Sequence, residues 1–166
     1  MIRRLRAEYL RNFVFGVEDS LVSTIGLLSG IAVAGTESKI IILTGIVLIF
    51  VEAFSMGIGS LLSQHSAEEY LKQDEVALKK SLKTSSVMLV SYFISGFIPL
   101  APYLIFSVGN ALPLSILVSL IALFMLGVFN AKESGLGMIS HGFEMLFIGG
   151  LAIAVGVGVG QIVLFL

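Results

Sequence analysis

The sequence predicts an all-α integral membrane protein with five transmembrane helices, and three observations carry that prediction. Of its 166 residues, 57% are hydrophobic and 13% charged, and the mean hydropathy of +1.04 lies far above that of a soluble domain. The apolar residues gather into five runs, roughly 13–34, 40–62, 85–107, 111–130 and 142–166, each long enough to cross about 30 Å of hydrocarbon as a helix. The basic residues are distributed asymmetrically: Arg3, Arg4, Arg6 and Arg11 precede the first run, Lys72, Lys79, Lys80 and Lys83 separate the second from the third, and Lys132 follows the fourth. Only Lys39 falls on the other side, so the N-terminus is expected in the cytoplasm and Leu166 outside or in a lumen. The spans use up residues 1–166 as a single transmembrane domain, leaving no room for a sizeable soluble one.

The first run follows an Arg-rich start, as in a signal peptide, but it carries Glu18 and Asp19 and outlasts a typical signal core, so it reads as a retained helix. An acid near a bilayer centre costs about 2.5–3.5 kcal/mol on insertion scales, which makes the pair a functional candidate by default. Gly16, Asp19, Ser23, Gly26 and Gly30 step by three and four residues along one stripe, a helix-packing face that would turn Asp19 into a protein interface. Glu18 lies about 100° away and faces another neighbour.

In the second run Gly45, Glu52, Met56, Gly59 and Ser63 share a face, with Glu52 and Met56 one turn apart. Residues 63–86 form the one polar stretch, in which the second span is expected to continue into the cytoplasm as a short charged helical segment. Ser66 and Glu69 have capping-box spacing, and Glu68–Lys72 and Glu75–Lys79 are i,i+4 pairs. Pro99 and Pro102 predict a kink or break in the third helix. Pro113 predicts the first turn of the fourth. Gly149, Gly156 and Gly160 on one face of the fifth helix, with Gly150, Ala154 and Gly158 on another, predict close helix packing.

These features also exclude function classes. Without cysteine there is no disulfide, thiolate metal site or cysteine nucleophile. His65 and His141 stand far apart in sequence and Lys132 beside Glu133 reads as a solvated turn, so neither a His-rich metal motif nor an enzyme is expected. A net charge of −1 gives no footing for nucleic acid. Taken alone, Asp19 is either a site acid or a packing acid bonded to Ser23, and Met56 either a ligand or a core filler.

The run Asn12-Phe-Val-Phe-Gly-Val-Glu-Asp-Ser-Leu-Val-Ser-Thr24 followed by Gly26-Leu-Leu-Ser-Gly30 resembles the first-helix signature of the vacuolar iron transporter family. Glu52-Ala-Phe-Ser-Met-Gly-Ile-Gly59 with Ser63-Gln64, Ile98-Pro-Leu-Ala-Pro-Tyr103 and Met145-Leu-Phe-Ile-Gly-Gly-Leu-Ala152 resemble its second, third and fifth helices. The resemblance implies five transmembrane helices, a homodimer with the path at the subunit interface, and proton-coupled export of Fe²⁺, often with Mn²⁺, from the cytosol. It further implies Asp19 and Met56 as intramembrane metal ligands with Glu18 nearby, and Glu52 is added as a candidate because it lies one turn from Met56.

This chain departs from the family pattern at Ser20, where the family commonly has Gly, and at Ser60, where it commonly has Glu. Glu52 lies eight residues before Ser60, about 12 Å along the helix, and does not replace that acid in place. Larger members insert a Glu-rich cytoplasmic metal-binding domain after the second helix. Here only the segment 63–86 is present, in which His65, Glu68, Glu69, Asp74 and Glu75 could form a reduced capture site.

Carboxylates suit hard cations and a thioether adds preference for softer ones, so an Asp–Met set favours Fe²⁺. A two-fold axis between first helices would double those ligands. The expectation is therefore a homodimeric divalent-metal transporter in a lipid bilayer, a cell membrane if prokaryotic and otherwise an organelle membrane. It would exchange Fe²⁺ or Mn²⁺ for protons, with no permanently bound cofactor. The alternatives are a metal-ion or proton channel of the same architecture and a non-transporting scaffold.

Overall fold

A computed structural model describes residues 2–73 and 78–165. They form five helices: α1 (Ile2–Val33), α2 (Ser38–Lys72), α3 (Lys79–Ile105), α4 (Val108–Ser134) and α5 (Met138–Leu164), with no strand among the described residues. All five are long and apolar enough to cross a bilayer, and the protein is a multi-pass integral membrane protein. Large apolar side chains cover the outside, among them Leu43, Val47, Phe50 and Phe54 on α2 and Phe147, Leu151, Val155 and Val159 on α5. Such an outward-facing apolar surface is stable only where lipid replaces water.

The helix that carries the acid pair is the centre of the bundle, in contact with all four others and most extensively with α3 and α5. α2 leans chiefly on α3, and α4 on α5. An apolar core of Leu28, Ala32, Ile41, Ile49, Leu100, Tyr103 and Ala111 closes the half of the bundle around the α1–α2 and α3–α4 connections. The opposite half is polar inside. Asn12, Ser81, Thr84, Ser85, Ser91 and Ser95 are buried there, and several of these hydroxyls donate within their own helix, as Ser95 does to the Ser91 carbonyl at 2.6 Å.

The α1–α5 crossing is built from absent side chains. A Cβ on Gly30 would stand 2.7 Å from the Gly156 carbonyl oxygen, and Cβ atoms on Gly156 and Gly160 would run into the carbonyls of Gly26 and Gly30. Backbone thus meets backbone, the usual route to dispersion energy where lipid offers no hydrophobic drive. Gly16, on the same sequence stripe, meets α3 at Met88 and Ser91 instead. A three–four spacing drifts about 20° per heptad on a straight helix, so the two ends of the stripe reach different neighbours.

Several local expectations are corrected. Ser66 and Glu69 cap nothing, because α2 runs unbroken through them to Lys72 and ends at Gln73 in the left-handed region (φ 52°). The continuation of the second span into a charged helical end is nevertheless present: residues 63–72 are the end of α2, and 79–86 are the start of α3. At 35 residues α2 is roughly 52 Å long, about 20 Å more than the hydrocarbon needs, so its charged end stands clear of the bilayer. Pro99 and Pro102 do not break α3, which is helical through both, and Ser115 Oγ on α4 donates to the Pro99 carbonyl at 2.6 Å. Pro113 sits in the second turn of α4 rather than the first, since Ser107 is its N-cap and Val108 its first residue. α4 ends in a Schellman turn, with Gly135 at φ 71° and the Leu136 N–H donating to the Ala131 carbonyl at 2.9 Å.

Candidate functional site

In the polar half of the bundle a cavity of about 770 Å³ opens between α1, α2, α3 and α4. Arg11, Asn12, Val14, Phe15 and Glu18 of α1 form one wall and Met56, Gly59, Ser60 and Ser63 of α2 the other, with Met88 of α3 and Asn130 of α4 completing it. Gly59 contributes space rather than contact, having nothing near the position of a Cβ. The shared stripe on α2 thus runs from Gly45, packed on Leu28 and Leu100, to the cavity at Met56, Gly59 and Ser63. Within one chain the structure brings the carboxylate of Glu18 and the thioether of Met56 to a common space.

Asp19 and Glu52 are not among the residues lining that cavity. Both are half-buried and lie within electrostatic reach of each other and of Tyr92. The helical period separates Asp19 from Glu18 by about 100°, which directs the two neighbours into different environments. Around Asp19 the backbone is held to α3 by hydroxyls: Ser20 Oγ donates to the Tyr92 carbonyl at 2.7 Å, and Ser23 Oγ shares a 2.8 Å hydrogen bond with the Tyr92 hydroxyl. Ser20 is fully buried, and its Oγ stands 2.9 Å from where a Cβ on Gly96 would be, so the extra hydroxyl fits only because α3 has glycine there. Ser23 is thus bonded to α3, while Gly26 and Gly30 pack on α5.

Ser60 belongs to an uncharged ring that ties three helices at the cavity wall. Gln64 Nε2 donates to Ser60 Oγ (3.2 Å), Ser60 Oγ to Asn12 Oδ1 (3.5 Å), and Asn12 Nδ2 to the Thr84 carbonyl (2.8 Å). Thr84 Oγ1 closes the ring on Gln64 Oε1. Asn12 is 1% exposed, so its amide depends on these partners. The wall presents dipoles here instead of a charge.

The described members of the proposed capture set do not form one cluster. His65 Nε2 pairs with Glu69 at 3.1 Å along the same helix, while Glu68 lines a separate crevice of about 140 Å³ with Glu8, Arg11 and Gln64. Asp74 and Glu75 lie outside the described residues. Among the described residues no three His, Cys, Asp or Glu side chains are placed to hold a metal together. At the start of α5, His141 Nδ1 lies 3.0 Å from Glu144.

Sequence reasoning missed Met88, Asn130 and the role of Asn12. A signal existed for the first: Ser81, Thr84, Ser85, Met88, Ser91, Tyr92 and Ser95 recur at helical spacing as a polar face of α3, with Met88 the one sulfur in it.

A family model described as the VIT family matches residues 10–86 and 73–161. The chain is 25% identical over 168 residues to vacuolar iron transporter homolog 2 of Arabidopsis thaliana, across 95% of this chain and 86% of that protein. It is 30% identical over 86 residues to vacuolar iron transporter 1 of the same plant, across 51% of this chain and 34% of that protein. An uncharacterized protein of Methanocaldococcus jannaschii is 27% identical over 167 residues, across 87% of this chain and 84% of that one.

Proposed function

This chain belongs to the VIT family, and from that premise we propose that it transports a divalent transition metal, Fe²⁺ and secondarily Mn²⁺, out of the cytosol in exchange for protons. The observation that carries the reading is the cavity in which Glu18 and Met56 meet, an oxygen donor and a sulfur donor in the half of the bundle that the basic residues assign to the cytoplasm. The relatives named as vacuolar iron transporters support iron as the cargo.

The ion enters this cavity from the cytosol, exchanges water for Glu18 and Met56, and passes to Asp19 and Glu52 deeper in the bundle. A second copy placed two-fold about α1 doubles the donors at that depth and completes a coordination shell that one carboxylate pair leaves open. Carboxylates bind metal only when deprotonated, so acid on the far side displaces the ion by protonating them, and the proton returned to the cytosol closes the exchange.

The reading is tested in proteoliposomes loaded with an acidic lumen. Fe²⁺ uptake is expected to rise with the proton gradient, to vanish in Asp19→Asn, and to fall in Met56→Leu with Mn²⁺ uptake less affected. Flux that ignores the gradient identifies a channel, and full flux in Asp19→Asn removes the acid from the path.

A further inference from the structure

Two methionines, not one, line the cavity: Met56 from α2 and, at its buried edge, Met88 from α3. Of the remaining four in the sequence, Met125 and Met138 lie on the outer surface at 65% and 48% exposure. Met88 is the opposite case, 3% exposed and enclosed by protein. Its sulfur is pressed against α1, where a Cβ on Gly16 would lie 3.3 Å from Sδ, two residues before Glu18. Glycine at that position leaves the sulfur room beside the first helix, and the Ser91 hydroxyl donates at 3.1 Å to the Met88 carbonyl, one turn along α3.

We propose that the Met88 thioether is a second sulfur donor of the cavity, with Met56, and that it sets the preference of the site for softer divalent cations over harder ones. The proposal rests on the transport reading above and deepens it. With Met88 included, one chain supplies two thioethers and the Glu18 carboxylate to the same space, so the soft character of the cavity does not depend on a second copy. Asn12, Asn130 and Ser60 line the same cavity as neutral polar residues, and Arg11 adds a cationic group to it. The competing role is simple gap filling, at which methionine is adept. Leucine separates the two, because it has nearly the same volume and no lone pair.

Cd²⁺ as the soft probe and Mn²⁺ as the hard one are titrated into the purified full-length protein in detergent by calorimetry. Met88→Leu is expected to weaken Cd²⁺ by at least about tenfold, the loss that even an outer-shell partner of a metal ligand causes, and to leave Mn²⁺ unchanged. Equal weakening of both cations, no weakening of either, or binding of neither by the wild type overturns the proposal. Should Met88→Leu not fold, cadmium-edge X-ray absorption on selenomethionine protein carrying Met56→Leu decides the matter. A selenium neighbour at bonding distance supports Met88, and an oxygen-only shell overturns it. Vesicle flux is read separately: a wild type that binds Cd²⁺ through sulfur but moves no metal defeats the transport reading and leaves the donor assignment standing.

Discussion

Ser60 replaces an expected acid with a hydroxyl, and its surroundings explain how the fold accommodates the exchange. Its partners, Asn12, Gln64 and Thr84, satisfy one another in a closed ring, so no buried amide is left without a bond. Asn12→Ala opens that ring, removing the acceptor of Ser60 Oγ and the amide bond to the Thr84 carbonyl. It is expected to cost about 1–3 kcal/mol, read as a lower unfolding temperature of the detergent-solubilised protein, whereas Gln64→Glu at the half-exposed end is expected to cost less. An unchanged unfolding temperature in Asn12→Ala would remove the ring from the account of stability. None of this was legible in the chain, because Asn12 and Thr84 are 72 positions apart and only packing brings them together. The acids were legible singly, since an ionisable residue inside an apolar run declares itself. Their division between two environments was legible only as a 100° difference in direction.

Among the elements, α1 is set by its glycines and α2 by its length. The small-residue stripe on α1 was visible as a spacing, yet a spacing has no partner in it. The structure gives Gly16 to α3 and Gly26 and Gly30 to α5. Because the Gly30 Cβ position is 2.7 Å from a backbone oxygen that has no rotamer to escape through, Gly30→Val must push α5 away. A destabilisation of about 1–3 kcal/mol is expected from that overpacking. Gly158→Val, on an open face of α5, is the control expected to unfold like wild type, and equal stability of both variants would count against the crossing. The capping-box spacing misled for a related reason. Ser66 and Glu69 carry a helix-start pattern, but the preceding turns already supply their backbone acceptors, so the helix continues through them.

For the whole molecule, the orientation expected from the charge distribution is open to direct measurement. The chain has no cysteine, so single introduced cysteines report without background. Ser66→Cys, on the protruding end of α2, is expected to react with an impermeant maleimide only from the cytosolic side, and Ser107→Cys, at the N-cap of α4, only from the opposite side. The reverse pattern would invert the bundle and with it the direction of transport.

What the sequence determined by itself is the solvent, the number of crossings and the presence of acids within the first helix. Each of these follows from composition and one-dimensional periodicity, which the bilayer reads almost directly because its thickness fixes helix length and its dielectric penalises charge. Tertiary structure alone decided which acid shares a cavity with Met56, that Met88 joins it, and that α1 is the axis on which every other helix packs. Those outcomes depend on contacts between residues tens of positions apart, and a periodic pattern specifies which face is buried but not which neighbour buries it.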